Sequence, residues 1–194
     1  MRLNKLLLFL LVGLTTALSF PFSSLAHNPP RGSETAGYIV NADKHAGVSS
    51  DSYYISNSGA AYVTTELRSY IRQGEDMWDG AAVSFHENSS SGTGRVVAYR
   101  DANTGTVAYH RTHSTNSSGH ILSWTIGVNY STWDTLNSSK KKMVLAHEFG
   151  HAVGLGDLTW AENKRLMMYY KVSNDSYHYS VTSYDKKGAT YCDS

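Results

Sequence analysis

The chain has 194 residues, 41% of them apolar and 17% charged, with a formal net charge of +1. That length suits one domain with its own hydrophobic core, and the apolar share excludes a disordered chain. The near-balance of charge, with no concentrated basic face, excludes a nucleic-acid partner.

Residues 1–26 read as a secretory signal peptide. Arg2 and Lys5 are its basic start, residues 6–14 its apolar stretch, and Ser24-Leu25-Ala26 its small-residue cleavage site. The apolar stretch is shorter than the roughly 20 residues that span a bilayer. A secreted, extracellular protein without stable membrane association after cleavage is therefore expected. Cleavage removes two basic residues and no acid, taking the net charge to −1. Residues 27–50 are rich in Pro, Gly, Ser, Asn and His, and Pro29-Pro30 argues against regular structure. They read as a flexible N-terminal arm, a short pro-segment or a strap across the domain that residues 51–194 form.

Residues 52–56 form a short strand candidate. A helix follows over 60–72, with Ala61, Val63, Leu67, Tyr70 and Ile71 on one side, stopping near Gly74. Trp78 packs back on the core. Residues 81–85 read as a strand, 89–94 as a loop, and 95–99 and 105–109 as two strands separated by a turn. A polar loop then leads to a strand over 121–129 with Ile121, Trp124, Ile126 and Val128 as its apolar positions. Asn137, Ser138 or Ser139 can cap a second helix that runs through 143–153. Lys140, Lys141 and Lys142 lie in its first turn, which the helix dipole disfavours by a few tenths of a kcal/mol each. Packing of Val144, Leu145, Phe149 and Ala152 must outweigh that. Residues 183–187 start a last short helix. The single cysteine, Cys192, makes no intrachain disulfide; on a frayed tail it would be a free thiol or an intermolecular link.

The chemistry concentrates in the second helix and the loop after it. His147 and His151 are four residues apart, one helical turn, so both imidazoles share a face and can grip one Zn²⁺. Glu148 can reach a metal-bound water without being a ligand and can serve as general base. Gly154 lets the chain leave the helix sharply. Asp157 can then swing toward the same metal as third ligand, or instead hydrogen-bond a ligand. Three protein ligands with one open position are the catalytic type of zinc site. A His-Glu-x-x-His pattern alone also arises on helices that bind nothing; the glycine, the spaced acid and the later methionines separate this case. Met167 and Met168 can form a soft apolar floor under the imidazoles, or be plain core residues.

The segment His147-Glu148-Phe149-Gly150-His151-Ala152-Val153-Gly154-Leu155-Gly156-Asp157 resembles the long motif of the metzincin zinc metallopeptidases. Its aspartate version is similar to the snapalysin type of small secreted bacterial peptidase. The wording is also similar to bacterial matrixin-like peptidases, which usually have His where this chain has Asp157. The strong match covers residues 143–170. The resemblance implies an α+β zincin fold: a twisted, mixed, mostly parallel sheet, two long helices, and a small C-terminal subdomain containing a Met-turn. It implies that His147, His151 and Asp157 hold one catalytic zinc and that Glu148 is the general base. The Met-turn maps onto residues 166–170. Met168 is the favoured turn residue, which gives Tyr170 the place of a tyrosine that hydrogen-bonds the tetrahedral oxyanion; Met167 with Tyr169 is the other register. An edge strand within 95–109 would add an extended peptide to the sheet.

The expected activity is therefore zinc-dependent endopeptidase cleavage of protein or peptide substrates by a monomer. The alternatives are a zinc amidase acting on cell-wall peptides and a non-catalytic secreted zinc-binding protein. His110 and His113 can support a second metal or only line a loop, the loop being preferred. His27, Asp43 and His45 are poor candidates for blocking the zinc. The Asp/Asn/Gly loops can take Ca²⁺, though no twelve-residue EF-hand pattern occurs.

Overall fold

A computed structural model describes residues 32–171 and 180–192. The signal-peptide reading of residues 1–26 lies outside those residues. Among the described residues there are seven strands: β1 (Gly32–Ser33), β2 (Tyr38–Ile39), β3 (Ser50–Ile55), β4 (Ser84–Asn88), β5 (Gly94–Tyr99), β6 (Ala108–Thr115) and β7 (Ile121–Asn129). The helices are α1 (Thr65–Asp76), α2 (Tyr130–Trp133), α3 (Ser138–Val153) and α4 (Ser183–Thr190). No helix among the described residues is long and apolar enough to cross a membrane.

The fold is α+β. Five strands form one mixed, mostly parallel sheet in the order β4-β3-β5-β7-β6, in which only β6 runs antiparallel to its neighbour. α1 and α3 pack against each other, and α3 also packs on β6 and β7. Between helices and sheet lies an aromatic core. Phe149 of α3 meets Tyr53, Phe85 and Trp124 at ring distances of 5.3, 4.9 and 6.1 Å. Such edge-on and tilted pairs add to the burial of large apolar side chains.

Several elements differ from the sequence expectation, each for a physical reason. Residues 60–62 form a separate 3-10 turn, because Thr64 caps α1 by accepting from the Leu67 amide at 3.0 Å. Gly74 does not end that helix. A Cβ there would come 2.7 Å from Leu145 Cβ, so the glycine instead permits the close crossing of α1 and α3, and α1 continues to Asp76. The strand expected at 81–85 lies at Ser84–Asn88. The strand expected at 105–109 begins at Ala108 and extends through the supposed loop to Thr115. It does not lie beside β5. The largely buried β7 takes the place between them, and the more polar β6 takes the edge. The edge expected within 95–109 is thus β6 alone, since β5 is central.

Lys141 also departs from expectation. It is buried, pairs with Glu66 of α1 at 2.9 Å, and lies over the rings of Tyr70 and Trp133. Cross-helix pairing offsets its unfavourable place in the first turn of α3. Cys192 is not on a frayed tail. It is fully buried, its thiol donates to the Gly188 carbonyl at 3.6 Å, and burial pushes its pKa up to about 12. The described part of residues 27–50 lies as a strap against the rest of the chain. Val40 bridges Leu155, and Tyr38, Val40 and His45 are buried.

Candidate metal centre

α3 presents the two histidines. Asn137 caps it, accepting from the Lys140 amide at 3.0 Å. At the other end Gly154 adopts φ +114°, and its amide and that of Leu155 return to the Gly150 carbonyl at 3.2 and 3.0 Å. A Cβ at Gly154 would also come 2.5 Å from His45 Cα of the strap. The reversal thus needs glycine for conformation and for space.

The strap aims the chain beyond that reversal. The Asn41 amide donates to the Gly154 carbonyl and the Gly156 amide to the Ile39 carbonyl, both at 2.8 Å. Past Asp157, Leu158 donates to the Met168 carbonyl at 2.7 Å and accepts from the Tyr170 amide at 3.0 Å. Glu34 of the strap accepts from the Thr159 amide and hydroxyl and from Asn163 Nδ2, at 2.6, 2.8 and 2.6 Å. Backbone bonds therefore hold Asp157 on both sides.

These constraints bring Asp157 Oδ1 to 3.2 Å from His147 Nε2 and 3.5 Å from His151 Nε2. The two imidazole rings stand nearly perpendicular, with centroids 4.7 Å apart. One ligand atom from each of the three residues lies within 4.8 Å of the others, so the group can hold a metal ion.

The opposite ring nitrogens decide what these atoms present. His147 Nδ1 donates to the Met167 carbonyl at 2.9 Å, and His151 Nδ1 to the Leu155 carbonyl at 2.8 Å. A carbonyl can only accept, so Nδ1 carries the proton and the neutral ring turns its Nε2 lone pair toward Asp157. Two lone pairs and a carboxylate oxygen then face one another, an arrangement that a cation relieves. Carbonyl partners of this kind are what orient histidine ligands at metal sites.

When Nε2 is instead protonated, hydrogen bonds from His147 and His151 hold the Asp157 carboxyl below its ordinary range. Burial opposes charge on His147, but Asp157, Glu148 and the Met167 carbonyl outweigh it and raise its pKa. Glu148 is raised by burial, partly offset by the two histidines and by the His110 peptide N–H that donates to its carboxylate.

Met168 is the methionine beneath the helix. It is fully buried, and a Cβ on Gly150 would overlap its sulfur. Met167 instead contributes its carbonyl to His147. Asp185 of α4 fixes the pair by accepting from the Met167 and Met168 amides at 3.2 and 3.4 Å. Tyr170 lines a cleft of about 240 Å³ together with His147 and Glu148, its ring about half exposed.

Three contributors had no clear sequence signal: the strap, Asp185, and His110. The last lies on strand β6, not in a loop, with its ring 6.1 Å from that of His151. It lines a second cleft, of about 450 Å³, together with His151 and Asp157. His113 lines a different concavity beside Tyr54 and Arg95, so the two histidines do not converge on one metal. The odd spacing of 110 and 113 was a usable hint, since it sends strand residues to opposite faces.

No protein-family model matches this chain, and no curated protein matches it.

Proposed function

We propose that this protein is a secreted zinc endopeptidase of the metzincin group, similar in kind to the snapalysin type. The observation that carries the reading is the convergence of His147, His151 and Asp157 beside a glutamate that is not among them. Two imidazoles and one carboxylate suit Zn²⁺ with a position left open. A purely structural site would more often close with a fourth protein ligand. Burial of Met168 under Gly150 supports its assignment as the Met-turn residue.

Zinc, when bound, supplies a Lewis acid for the scissile carbonyl and makes water acidic near neutral pH. His147 and His151 present their Nε2 atoms, each ring held by its Nδ1 bond to a backbone carbonyl. Glu148 accepts a proton from the attacking water and returns it to the leaving nitrogen. Its largely buried carboxyl, raised by desolvation, suits that exchange. Tyr170, on the wall of the same cleft, donates its hydroxyl to the developing oxyanion. The open edge of β6 pairs with an extended peptide and lays it across the two clefts that flank the metal ligands.

The test is cleavage of unfolded casein by the purified protein, with and without a zinc chelator, beside Glu148→Gln. The expected result is chelator-sensitive cleavage that Glu148→Gln abolishes while zinc stays bound. A folded wild type that takes up no zinc would remove the basis of the reading.

A further inference from the structure

The five-stranded sheet has two faces, and only one is covered by α1 and α3. Alternation along each strand, with the strand register, assigns the other face. β5 places Arg95, Val97 and Tyr99 there, because Val96 and Ala98 are buried under the helices. β6 places Tyr109, Arg111 and His113 there: the Arg111 guanidinium lies 5.7 Å over the Tyr109 ring, and His113 Nε2 bonds Thr125 Oγ1 at 2.8 Å. β3 adds Ser52 and Tyr54, and β4 adds His86 and Asn88 opposite them. Gly127 on β7 leaves room for the Tyr109 ring, which packs 5.9 Å from that of Tyr99.

The composition of this face is selective. The strands carry two carboxylates, Asp51 and Glu87, and both belong to the other face. Asp51 accepts from the Trp124 indole, and Glu87 pairs with Arg72 of α1. No Asp or Glu of the five strands points outward. The nearest acid in sequence is Asp101, in the loop after β5. Arg95, Arg111, His86 and His113 are exposed, and Tyr54, Tyr99 and Tyr109 are half-exposed. Arg95, His113 and Tyr54 also line a concavity of about 380 Å³. Tyrosine and arginine without carboxylates are what binding surfaces concentrate.

We propose that this open face is an exosite for an acidic segment of the protein substrate, with Arg95 and Arg111 as the charge-selecting residues. The inference rests on the endopeptidase reading. Charge complementarity favours an acidic partner, because two guanidinium groups meet no outward carboxylate from any strand. Continuity with the cleft favours the substrate itself. β6 forms the edge that takes the scissile segment, and its outward side chains Tyr109 and Arg111 begin the exosite. Five strands spaced about 4.8 Å apart give a face on the order of 400 Å². That is near half of one partner's share of a standard interface, which suits a weak auxiliary contact and is too small for a stable dimer of this chain.

The test uses purified protein carrying Glu148→Gln, so that binding is read without turnover. Fluorescence anisotropy compares a labelled 20-residue Glu-rich peptide with a Gln-rich one, a single-stranded oligonucleotide and polygalacturonate. The Glu-rich peptide should bind, with affinity falling as ionic strength rises. Arg95→Glu/Arg111→Glu should weaken that binding about tenfold or more, and Arg95→Gln/Arg111→Gln by a smaller factor. In wild-type protein, one cleavable linker fused to a Glu-rich tail should be cut several-fold faster than the same linker fused to a Gln-rich tail. The double variants should erase that ratio. Equal binding of the Glu-rich and Gln-rich peptides would overturn the exosite, even if the wild type cleaves both fusions. Binding of the oligonucleotide or the polysaccharide alone would overturn it in favour of that polymer. Selective binding of the Glu-rich peptide by a protein that cleaves neither fusion would uphold the acidic-peptide face and count against the endopeptidase reading.

Discussion

Replacing Gly150 by alanine sets two effects of opposite sign against each other inside α3. Glycine in a helix interior costs about 0.8–1 kcal/mol relative to alanine, so the propensity change is stabilising. The new Cβ, however, would overlap the sulfur of Met168 and lie 2.8 Å from Trp78 Cζ2. Both side chains are fully buried. Met168 has no solvent to move into, and Trp78 is tethered by its indole N–H to the Ala146 carbonyl at 2.8 Å. Overpacking of such a site costs about 1–3 kcal/mol. The net expectation is a loss of about 1 kcal/mol, read as a fall in Tm of about 2–4 °C in thermal melts of chelator-treated protein. Zinc affinity should fall too, since displacing Met168 moves the neighbouring Met167 carbonyl that orients His147. A rise of a few degrees, as for an unobstructed helical glycine, would refute the packing of Met168 under this turn.

Asp157→Ala removes one of the three proposed ligands, and should weaken zinc binding by more than about 100-fold in competition with a chromophoric chelator, since even an outer hydrogen-bond partner is worth 10–100-fold. Unchanged affinity would assign the third ligand elsewhere. Asp185→Ala leaves the amides of Met167, Met168 and Thr182 without their acceptor. It should cost about 3 kcal/mol or more, measured as a lower urea midpoint; a loss under about 1 kcal/mol would mean that water or another group replaces the carboxylate. The Cys192 thiol, raised by burial to about 12, stays protonated through pH 8 in the folded chain, and its thiolate appears only as pH climbs toward that value. A thiol reagent at pH 8 should therefore label native protein far more slowly than urea-unfolded protein. Equal rates would place Cys192 at the surface.

Local signals made much of α3 legible. The four-residue spacing of His147 and His151 is a property of helical geometry, and Asn137 and Gly154 mark the helix ends by capping chemistry that depends on neighbours alone. β7 was legible because it is long and rich in apolar residues. Gly74 misled because a glycine in a helical pattern reads equally as a stop or as a close contact, and only the crossing of α1 over Leu145 distinguishes them. Strand order was hidden for a related reason: pairing partners are chosen by burial across the whole sheet, so β7 could separate β5 from β6 without any local mark.

The sequence by itself determined the donor types, their helical spacing and the glycine that turns the chain back. Tertiary structure alone decided where Asp157 arrives, because its place depends on Ile39 and Asn41 of the strap. It decided which nitrogen each histidine offers, because the carbonyls of Met167 and Leu155 take the other. It also decided which methionine lies beneath the site, through the space left at Gly150 and the grip of Asp185 on the Met167 and Met168 amides. Spacing along a helix is a local property of the backbone, whereas convergence of distant segments exists only once the core has packed.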